Sequence, residues 1–170
     1  MQQLYKNVIL TGMMGSGKTS AGFELAKMLG CDFYDLDEII EKKYGKITEI
    51  FKNRGEEYFR SLETKELQSL SASSGFVLST GGGAVLKDEN LKILNALGRV
   101  FYLEASPLTI FNRIKKQSHR PLLNTENPKE AIESILSSRL ERYEKSGEKI
   151  ITDNKNTKEV AQEIYEKLMR

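Results

Sequence analysis

The chain has 170 residues, of which 39% are hydrophobic and 29% are charged, and its formal net charge at pH 7 is +2. This length and composition are typical of one globular domain with its own core, and they exclude a disordered protein. The nearly neutral charge gives no sign of a nucleic-acid partner, and no apolar run approaches the roughly 20 residues that a membrane-spanning helix needs.

Apolar runs and helical periodicity alternate along the chain. Five apolar runs predict strands, over residues 6–12, 31–37, 75–83, 99–105 and 148–152. Apolar residues at helical spacing predict helices over residues 18–30, 38–45, 48–55, 56–70, 87–98, 108–117, 129–147 and 157–170. Ser106-Pro107 and Asn127-Pro128 each predict a capping residue followed by a first-turn proline. Strands that alternate with helices predict an α/β fold, in which a parallel sheet carries helices on both faces in three α/β/α layers.

The sequence GMMGSGKTS at residues 12–20 is the clearest functional motif. Four residues separate Gly12 from Gly17-Lys18-Thr19, which is the spacing of a phosphate-binding P-loop between a strand and a helix. In such a loop Lys18 contacts the β- and γ-phosphates and the Thr19 hydroxyl is a ligand of Mg²⁺. A chance match in a chain of this length has a probability on the order of 1%, so we expect a site for ATP and Mg²⁺. The nucleotide-binding residues predicted in this loop are Gly15, Ser16, Gly17, Lys18, Thr19 and Ser20.

Two aspartates that follow the second predicted strand are candidates for binding the metal and the acceptor. The run FVLSTGGG ends in Ser79-Thr80 without an acid, so Asp35 in FYDLD is the best candidate for holding the water shell of the metal. Alternation along an extended chain predicts that Asp35 and Asp37 lie on the same side, one near Mg²⁺ and one near an acceptor hydroxyl. The alternative is that both aspartates cap the following helix.

Several separated motifs together cover most of the chain. They are GMMGSGKTS at residues 12–20, DLD at 35–37, FR at 59–60 before Glu63, STGGG at 79–83, HRPLL at 119–123 and Arg139 in SSRLERYE. In this set and order the chain resembles the shikimate kinases, which phosphorylate the 3-hydroxyl of shikimate with ATP in aromatic amino-acid biosynthesis. The resemblance implies a P-loop fold of the nucleoside monophosphate kinase type with strand order 2-3-1-4-5. It also implies an acceptor-binding region over about residues 34–62 and a mobile lid over about residues 115–127.

The resemblance assigns the binding of shikimate to particular side chains and glycines. The implied shikimate-binding residues are Asp37, Arg60, Gly81, Gly82, Gly83 and Arg139. Two arginines suit a carboxylate because each offers paired N–H donors, and Asp37 would accept the proton of the attacking hydroxyl. The alternative for either arginine is an ordinary surface ion pair with a neighbouring glutamate.

Further residues are implied in binding the nucleotide. Arg120, in SHRPLL, resembles a lid arginine that closes over the phosphates and stabilises charge on the transferring group, and His119 beside it is a lid surface residue. Arg113 resembles the residue that packs on the adenine ring, and Lys155 matches a basic residue of the base site. The sequence departs from the family pattern at Thr157, where relatives carry a proline against adenine.

Two other functions fit parts of the pattern. A gluconate kinase or a nucleoside monophosphate kinase also has a P-loop and arginines for an anionic acceptor, but the set DLD, FR and GGG favours a small hydroxylated acid. A nucleotide-responsive binding module would keep the P-loop without turnover. The joint presence of catalytic candidates argues against that module, and these candidates are Lys18, Asp37, Arg60, Arg120 and Arg139.

Cysteine usage and the N-terminus indicate the compartment. Cys31 is the single cysteine, so an intramolecular disulfide or a cysteine metal cluster is excluded, and a reducing compartment is favoured. The N-terminal sequence lacks the charged and apolar segments of a signal peptide. We therefore expect one domain over residues 1–170, a cytoplasmic monomer whose partners are ATP and shikimate, with no nucleic-acid or membrane partner.

Overall fold

The computed structural model describes residues 6–116 and 125–170. In these segments every pair of neighbouring strands is parallel, and the order across the sheet is β2-β3-β1-β4-β5. The strands are β1 (Val8–Thr11), β2 (Asp32–Asp35), β3 (Phe76–Ser79), β4 (Arg99–Glu104) and β5 (Glu148–Ile151). The predicted α/β class, parallel sheet and strand order are confirmed.

Helices connect successive strands and cover both faces of the sheet. They are α1 (Lys18–Leu29), α2 (Leu36–Tyr44), α3 (Ile47–Leu70), α4 (Asp88–Leu97), α5 (Pro107–Ile114), α6 (Pro128–Ser146) and α7 (Thr157–Met169). A short 3₁₀ turn, Ala84–Leu86, precedes α4. In the described part of the chain, none of these helices combines the length and the apolar character that crossing a bilayer requires.

The central strand β1 explains how the core is divided. Its side chains alternate between the two faces of the sheet. Val8 and Leu10 pack with α1 and α7, whereas Ile9 packs with α2, α3 and α4. A third cluster, which includes Met13 and Tyr102, packs α5 and α6 beside the loop that follows β1. The loops at the carboxyl ends of the strands therefore rest on a rigid base, at the edge where parallel sheets bind ligands.

Some predicted element ends differ from the structure. The two helices predicted over 48–55 and 56–70 form one element, α3, with a kink at Gly55, whose φ of 81° departs from helical geometry. Ser106 caps α5 as predicted, because its hydroxyl accepts the Thr109 amide at 3.2 Å. Asn127 is the N-cap of α6 and Pro128 lies in its first turn, as predicted, although the Asn127 side chain makes no capping hydrogen bond. A capping box at Asn156 begins α7.

Candidate active site

The P-loop, residues 12–19, joins β1 to α1 in a conformation that requires glycine. Gly12, Gly15 and Gly17 have φ angles of 140°, 75° and 95°, which other residues rarely adopt. A Cβ on Gly12 would lie 2.5 Å from the Leu103 carbonyl oxygen, and one on Gly15 would lie 2.7 Å from the Ile114 side chain. The predicted nucleotide-binding residues 15–20 therefore lie together, where the loop meets the N-terminus of α1.

Lys18 begins α1, and its ammonium group lies inside the P-loop. Nζ donates to the carbonyl oxygens of Gly12 at 2.8 Å and Met13 at 2.9 Å. The residue is only 7% exposed. Its positive charge acts to lower the pKa of Asp37, so the two groups interact electrostatically. The P-loop thus carries a fixed positive charge that acts on Asp37, the residue predicted to bind the acceptor hydroxyl.

The two predicted metal-binding residues are in contact. Thr19 Oγ1 donates to Asp35 Oδ2 at 2.7 Å, and it lies 3.3 Å from Ser79 Oγ. The other carboxylate oxygen, Asp35 Oδ1, accepts the Asp37 amide at 3.0 Å and the Glu38 amide at 3.4 Å. Asp35 is thus the N-cap of α2, and the same side chain reaches the first turn of α1.

The extended chain that the prediction for Asp35 and Asp37 assumes ends at Asp35. β2 ends at Asp35 and α2 begins at Leu36, two residues earlier than predicted. The period of two that applies to an extended chain does not extend to Asp37, because this residue lies in the first helical turn. Asp37 also does not cap the helix, since Asp35 does so. The turn of α2 points Asp37 Oδ1 towards the loop that follows β3.

The predicted shikimate-binding residues converge on the three-glycine loop, residues 81–83. A Cβ on Gly81 would lie 2.9 Å from Asp37 Oδ1, and one on Gly82 would lie 3.8 Å from Arg139 Nη1. A Cβ on Gly83 would collide with the Arg60 guanidinium group. Three elements therefore deliver an acid and two guanidinium groups to one loop, because the glycines leave the space for them.

Glu63 belongs to this cluster, although the sequence predicts no role for it. Its side chain is fully buried, and Oε2 accepts from Arg60 Nη1 at 2.7 Å. Arg60 Nη2 also donates to Glu56 at the surface, at 3.1 Å. Arg60 therefore makes the predicted alternative ion pairs as well as facing the three-glycine loop. The spacing of three residues on one helix is the signal that could have linked Arg60 to Glu63.

Two buried carboxylate oxygens lie close to Gly81. Glu63 Oε1 would lie 2.8 Å from a Cβ on Gly81, and Asp37 Oδ1 would lie 2.9 Å from the same position. Within the described residues neither oxygen has a hydrogen-bond partner. Unpaired buried acceptors are costly, and a ligand with hydroxyl groups would supply the missing donors.

Burial is the largest influence on the pKa values of the two acids in this cluster. It raises the pKa of Asp37, with a further increase from Asp35, while Lys18 and Arg60 oppose the shift. Burial also raises the pKa of Glu63 against the effect of Arg60. For Arg60 burial acts to lower the pKa, but Glu63 and Glu56 together raise it. Asp37 therefore holds a proton more tightly than an exposed aspartate, as a proton acceptor requires.

A cavity of about 640 Å³ adjoins the P-loop between α5 and the start of α7. Arg113 forms one wall, where its guanidinium group donates to the Gly15 and Ser16 carbonyl oxygens at 3.3 and 3.1 Å and to the Thr152 carbonyl oxygen at 3.0 Å. Burial lowers the pKa of Arg113. Ser20 and Lys155, which are also predicted to bind the nucleotide, line this cavity, and so does Thr157, where the sequence departs from the family pattern.

Known proteins resemble the chain over nearly its whole length. The family model described as shikimate kinase matches residues 14–169. The chain belongs to the shikimate kinase family. A shikimate kinase of Thermodesulfovibrio yellowstonii is 46% identical over 167 residues, which cover 96% of each chain. A solved structure of shikimate kinase from Acinetobacter baumannii in complex with shikimate has a TM-score of 0.91 and 36% identity, covering 96% of this chain and 93% of that one.

Membership of the shikimate kinase family decides between the candidate activities. The chain is a kinase that uses ATP to phosphorylate shikimate in aromatic amino-acid biosynthesis. A gluconokinase from Sinorhizobium meliloti shares the fold alone, with a TM-score of 0.61 and 18% identity over 97% of this chain and 92% of that one. The predicted shikimate kinase activity is therefore confirmed, in preference to gluconate phosphorylation and to nucleotide binding without turnover.

The predicted lid of this kinase lies mostly outside the described residues. Arg120 and His119 belong to residues 117–124, which lie outside the described residues. α5 ends at Ile114 before this segment, and α6 begins at Pro128 after it. The roles of Arg120 and His119 stay predictions.

Replacing Gly81 by alanine should block the acceptor site of the kinase. The added methyl group would lie within 3 Å of both Asp37 Oδ1 and Glu63 Oε1 and would displace at least one carboxylate. We expect kcat/KM for shikimate to fall about 100-fold, as a displacement of about 1 Å in a reacting group does. Steady-state kinetics with each substrate varied will measure this. A variant whose KM for ATP rises as much as its KM for shikimate would contradict the assignment.

Proposed function

We propose that phosphoryl transfer to shikimate takes place between the P-loop and the three-glycine loop. The observation that carries the proposal is the convergence of Asp37, Arg60 and Arg139 on that loop, with Lys18 acting electrostatically on Asp37. The two loops follow β1 and β3, which are neighbours in the sheet. A nucleotide tail on one loop and an acceptor on the other would therefore meet at the same edge of the sheet.

Arg60 and Arg139 would bind the carboxylate of shikimate. A guanidinium group presents paired donors that match both oxygens of a carboxylate. Arg60 is held by the buried Glu63, so its orientation is fixed before the substrate arrives. Such preorganisation reduces the entropy lost on binding.

Asp37 would bind the 3-hydroxyl and accept its proton. As the oxygen–phosphorus bond forms, the proton of the hydroxyl moves to the Asp37 carboxylate, while the bond between the transferred phosphorus and the bridging oxygen of ADP breaks. The raised pKa of Asp37 favours this transfer because the carboxylate is a stronger base than an exposed one. Lys18 would stabilise the negative charge on the phosphate oxygens.

Thr19 and Asp35 fit a magnesium ion that keeps most of its water ligands. Their side-chain oxygens are 2.7 Å apart at the end of the P-loop. No group of three or more potential metal-ligating acids, histidines or cysteines occurs in residues 6–116 and 125–170. Mg²⁺ in kinases needs only one or two protein ligands besides the phosphates and water, so this pair suffices. The ion would neutralise charge on the transferred phosphate.

The remaining nucleotide contacts would be those that the family resemblance implies. Arg113 would pack on the adenine from the wall of the cavity, with Lys155 at its rim, and Arg120 would close over the phosphates and keep water out. Lys155 already donates to Glu163 at 2.6 Å, so a contact with the base would compete with this ion pair.

The proposal also includes a cytoplasmic location and a monomeric state. A measurement of the molar mass in solution tests whether the protein is a monomer.

An assay of ADP release with three acceptors tests the proposal. Shikimate, gluconate and AMP are compared at equal concentration with ATP and Mg²⁺. We expect turnover with shikimate alone. Turnover with gluconate or AMP but not with shikimate would contradict the proposed acceptor.

Replacing Arg60 or Arg139 by alanine should weaken binding of shikimate far more than binding of ATP. Each change removes a hydrogen-bonded ion pair with the carboxylate, so we expect KM for shikimate to rise about 10- to 100-fold. Arg142→Ala is the matched control, because Arg142 lies on α6 with Arg139 but pairs with Asp88. An equal rise in both KM values would instead indicate that the arginine merely supports the fold.

A further inference from the structure

Tyr143 connects the helix that carries Arg139 to both loops of the site. The residue is fully buried in α6. Its hydroxyl donates to the Gly82 carbonyl oxygen at 2.6 Å and lies 3.9 Å from Met13 Sδ in the P-loop. Burial raises the pKa of Tyr143, so the hydroxyl keeps its proton and remains a donor.

The hydrogen bond from Tyr143 to the Gly82 carbonyl oxygen also orients the amide of Gly83. The Gly82 carbonyl and the Gly83 amide belong to one planar peptide unit, so a bond that holds the oxygen also sets the direction of the N–H. In this loop the amides of Ala84 and Leu86 donate to the Gly81 and Gly83 carbonyl oxygens, each at 3.1 Å. Among the described residues the Gly83 amide donates to no acceptor. An oriented donor therefore remains available beside Arg60.

The position of the hydroxyl is itself firmly held. The Tyr143 ring stacks on Tyr102 of β4, with ring centres 5.3 Å apart and planes within 10° of parallel. One turn further along α6, Ser146 and Thr11 of β1 share a hydrogen bond of 2.6 Å. Arg139 lies four residues before Tyr143 and so on the same face of the helix. α6 thus delivers the guanidinium group and the hydroxyl as one rigid unit.

We propose that Tyr143 is a positioning residue for shikimate, whose hydroxyl holds the Gly82–Gly83 peptide so that the Gly83 amide points at the carboxylate bound by Arg60 and Arg139. This role rests on the proposed function of the three-glycine loop. Without the hydroxyl the peptide is less restrained, and the partly buried Gly82 oxygen loses its donor. The shikimate site is then less well formed before binding, while the nucleotide site keeps its own contacts.

Two matched substitutions test this role, because the neighbouring ring supplies a control. Tyr102 is also buried, but its hydroxyl has no hydrogen-bond partner within the described part of the chain. Tyr143→Phe and Tyr102→Phe each remove one oxygen from the same stacked pair. For Tyr143→Phe we expect KM for shikimate to rise about 3- to 10-fold, as loss of one neutral hydrogen bond does, with KM for ATP unchanged. For Tyr102→Phe we expect both values to match the parent protein.

An amide resonance gives a second readout. In ¹⁵N spectra of the parent protein we expect the Gly83 signal to shift when shikimate is added, and to shift less in Tyr143→Phe. Equal effects of the two substitutions on KM for shikimate, no effect of Tyr143→Phe, or failure of Tyr143→Phe alone to fold would overturn the proposal. If instead the three-glycine loop does not bind shikimate, Arg139→Ala would also leave KM for shikimate unchanged, which distinguishes that outcome from a failure of the Tyr143 proposal alone.

Discussion

Replacing Asp37 by asparagine should lower kcat about 10²- to 10⁴-fold, the usual contribution of a general base, and should also make the protein more stable. The amide keeps the shape of the side chain but cannot accept the proton of the 3-hydroxyl. Steady-state rates with saturating shikimate and ATP measure the first effect. Glu38→Gln is the matched control, because Glu38 is the next residue of α2 and is largely exposed. A rate within about threefold of the parent enzyme would remove Asp37 from the chemistry.

The gain in stability follows from the sign of the pKa shift. Folding raises the pKa of Asp37, so the proton is bound more tightly in the folded protein. The corresponding stabilisation is present at low pH and is lost as pH rises through the raised pKa. Above the raised pKa the parent carries a destabilising buried charge that Asp37→Asn lacks. We expect a higher melting temperature for the variant at pH 7 and a difference that shrinks on acidification. A lower melting temperature at pH 7 would contradict this account.

Replacing Lys18 by methionine should lower kcat at least about 10²- to 10³-fold, as removal of one fixed group that stabilises transition-state charge does. Methionine keeps much of the buried stem, so a loss of packing is not the cause. We expect binding of shikimate alone, measured by calorimetry, to stay within about twofold of the parent.

Lys27→Met is the control for this change, because Lys27 lies near the other end of α1, is exposed and pairs with Glu24. It should leave the rate unchanged. Normal turnover in Lys18→Met would mean that the P-loop is not the site of phosphoryl transfer. An equal loss in both variants would point to a general effect of charge on α1.

Local patterns were sufficient to predict the strands, most of the helices and the P-loop of this kinase. Apolar runs that stop at polar or glycine residues predict parallel strands, and the spacing of Gly12 and Lys18 predicts the P-loop independently of any other part of the chain. The order of the strands came only from the resemblance, because short buried strands such as Val8–Thr11 carry no signal for their neighbours. The kink at Gly55 was not predictable either, since a glycine within a helical pattern also fits a break between two helices.

The acceptor site was only partly predictable, because its geometry depends on contacts between distant elements. For Asp35 and Asp37 the expected extension of β2 is wrong, since a helical turn begins at Leu36. Glu63 follows Arg60 at helical spacing in the sequence, but only the structure shows that it is buried and lies with Asp37 close to Gly81. The helical spacing of Tyr143 indicates only an ordinary core residue. The sequence does not show that its hydroxyl donates to Gly82, which lies 61 residues away.

A crystal structure with an ATP analogue, Mg²⁺ and shikimate tests the central claim most directly. We predict that the shikimate carboxylate lies between Arg60 and Arg139, and that the 3-hydroxyl lies within hydrogen-bond distance of Asp37 and in line with the terminal phosphate on the P-loop. Shikimate bound away from the three-glycine loop, or bound there with its 3-hydroxyl turned from Asp37, would contradict it.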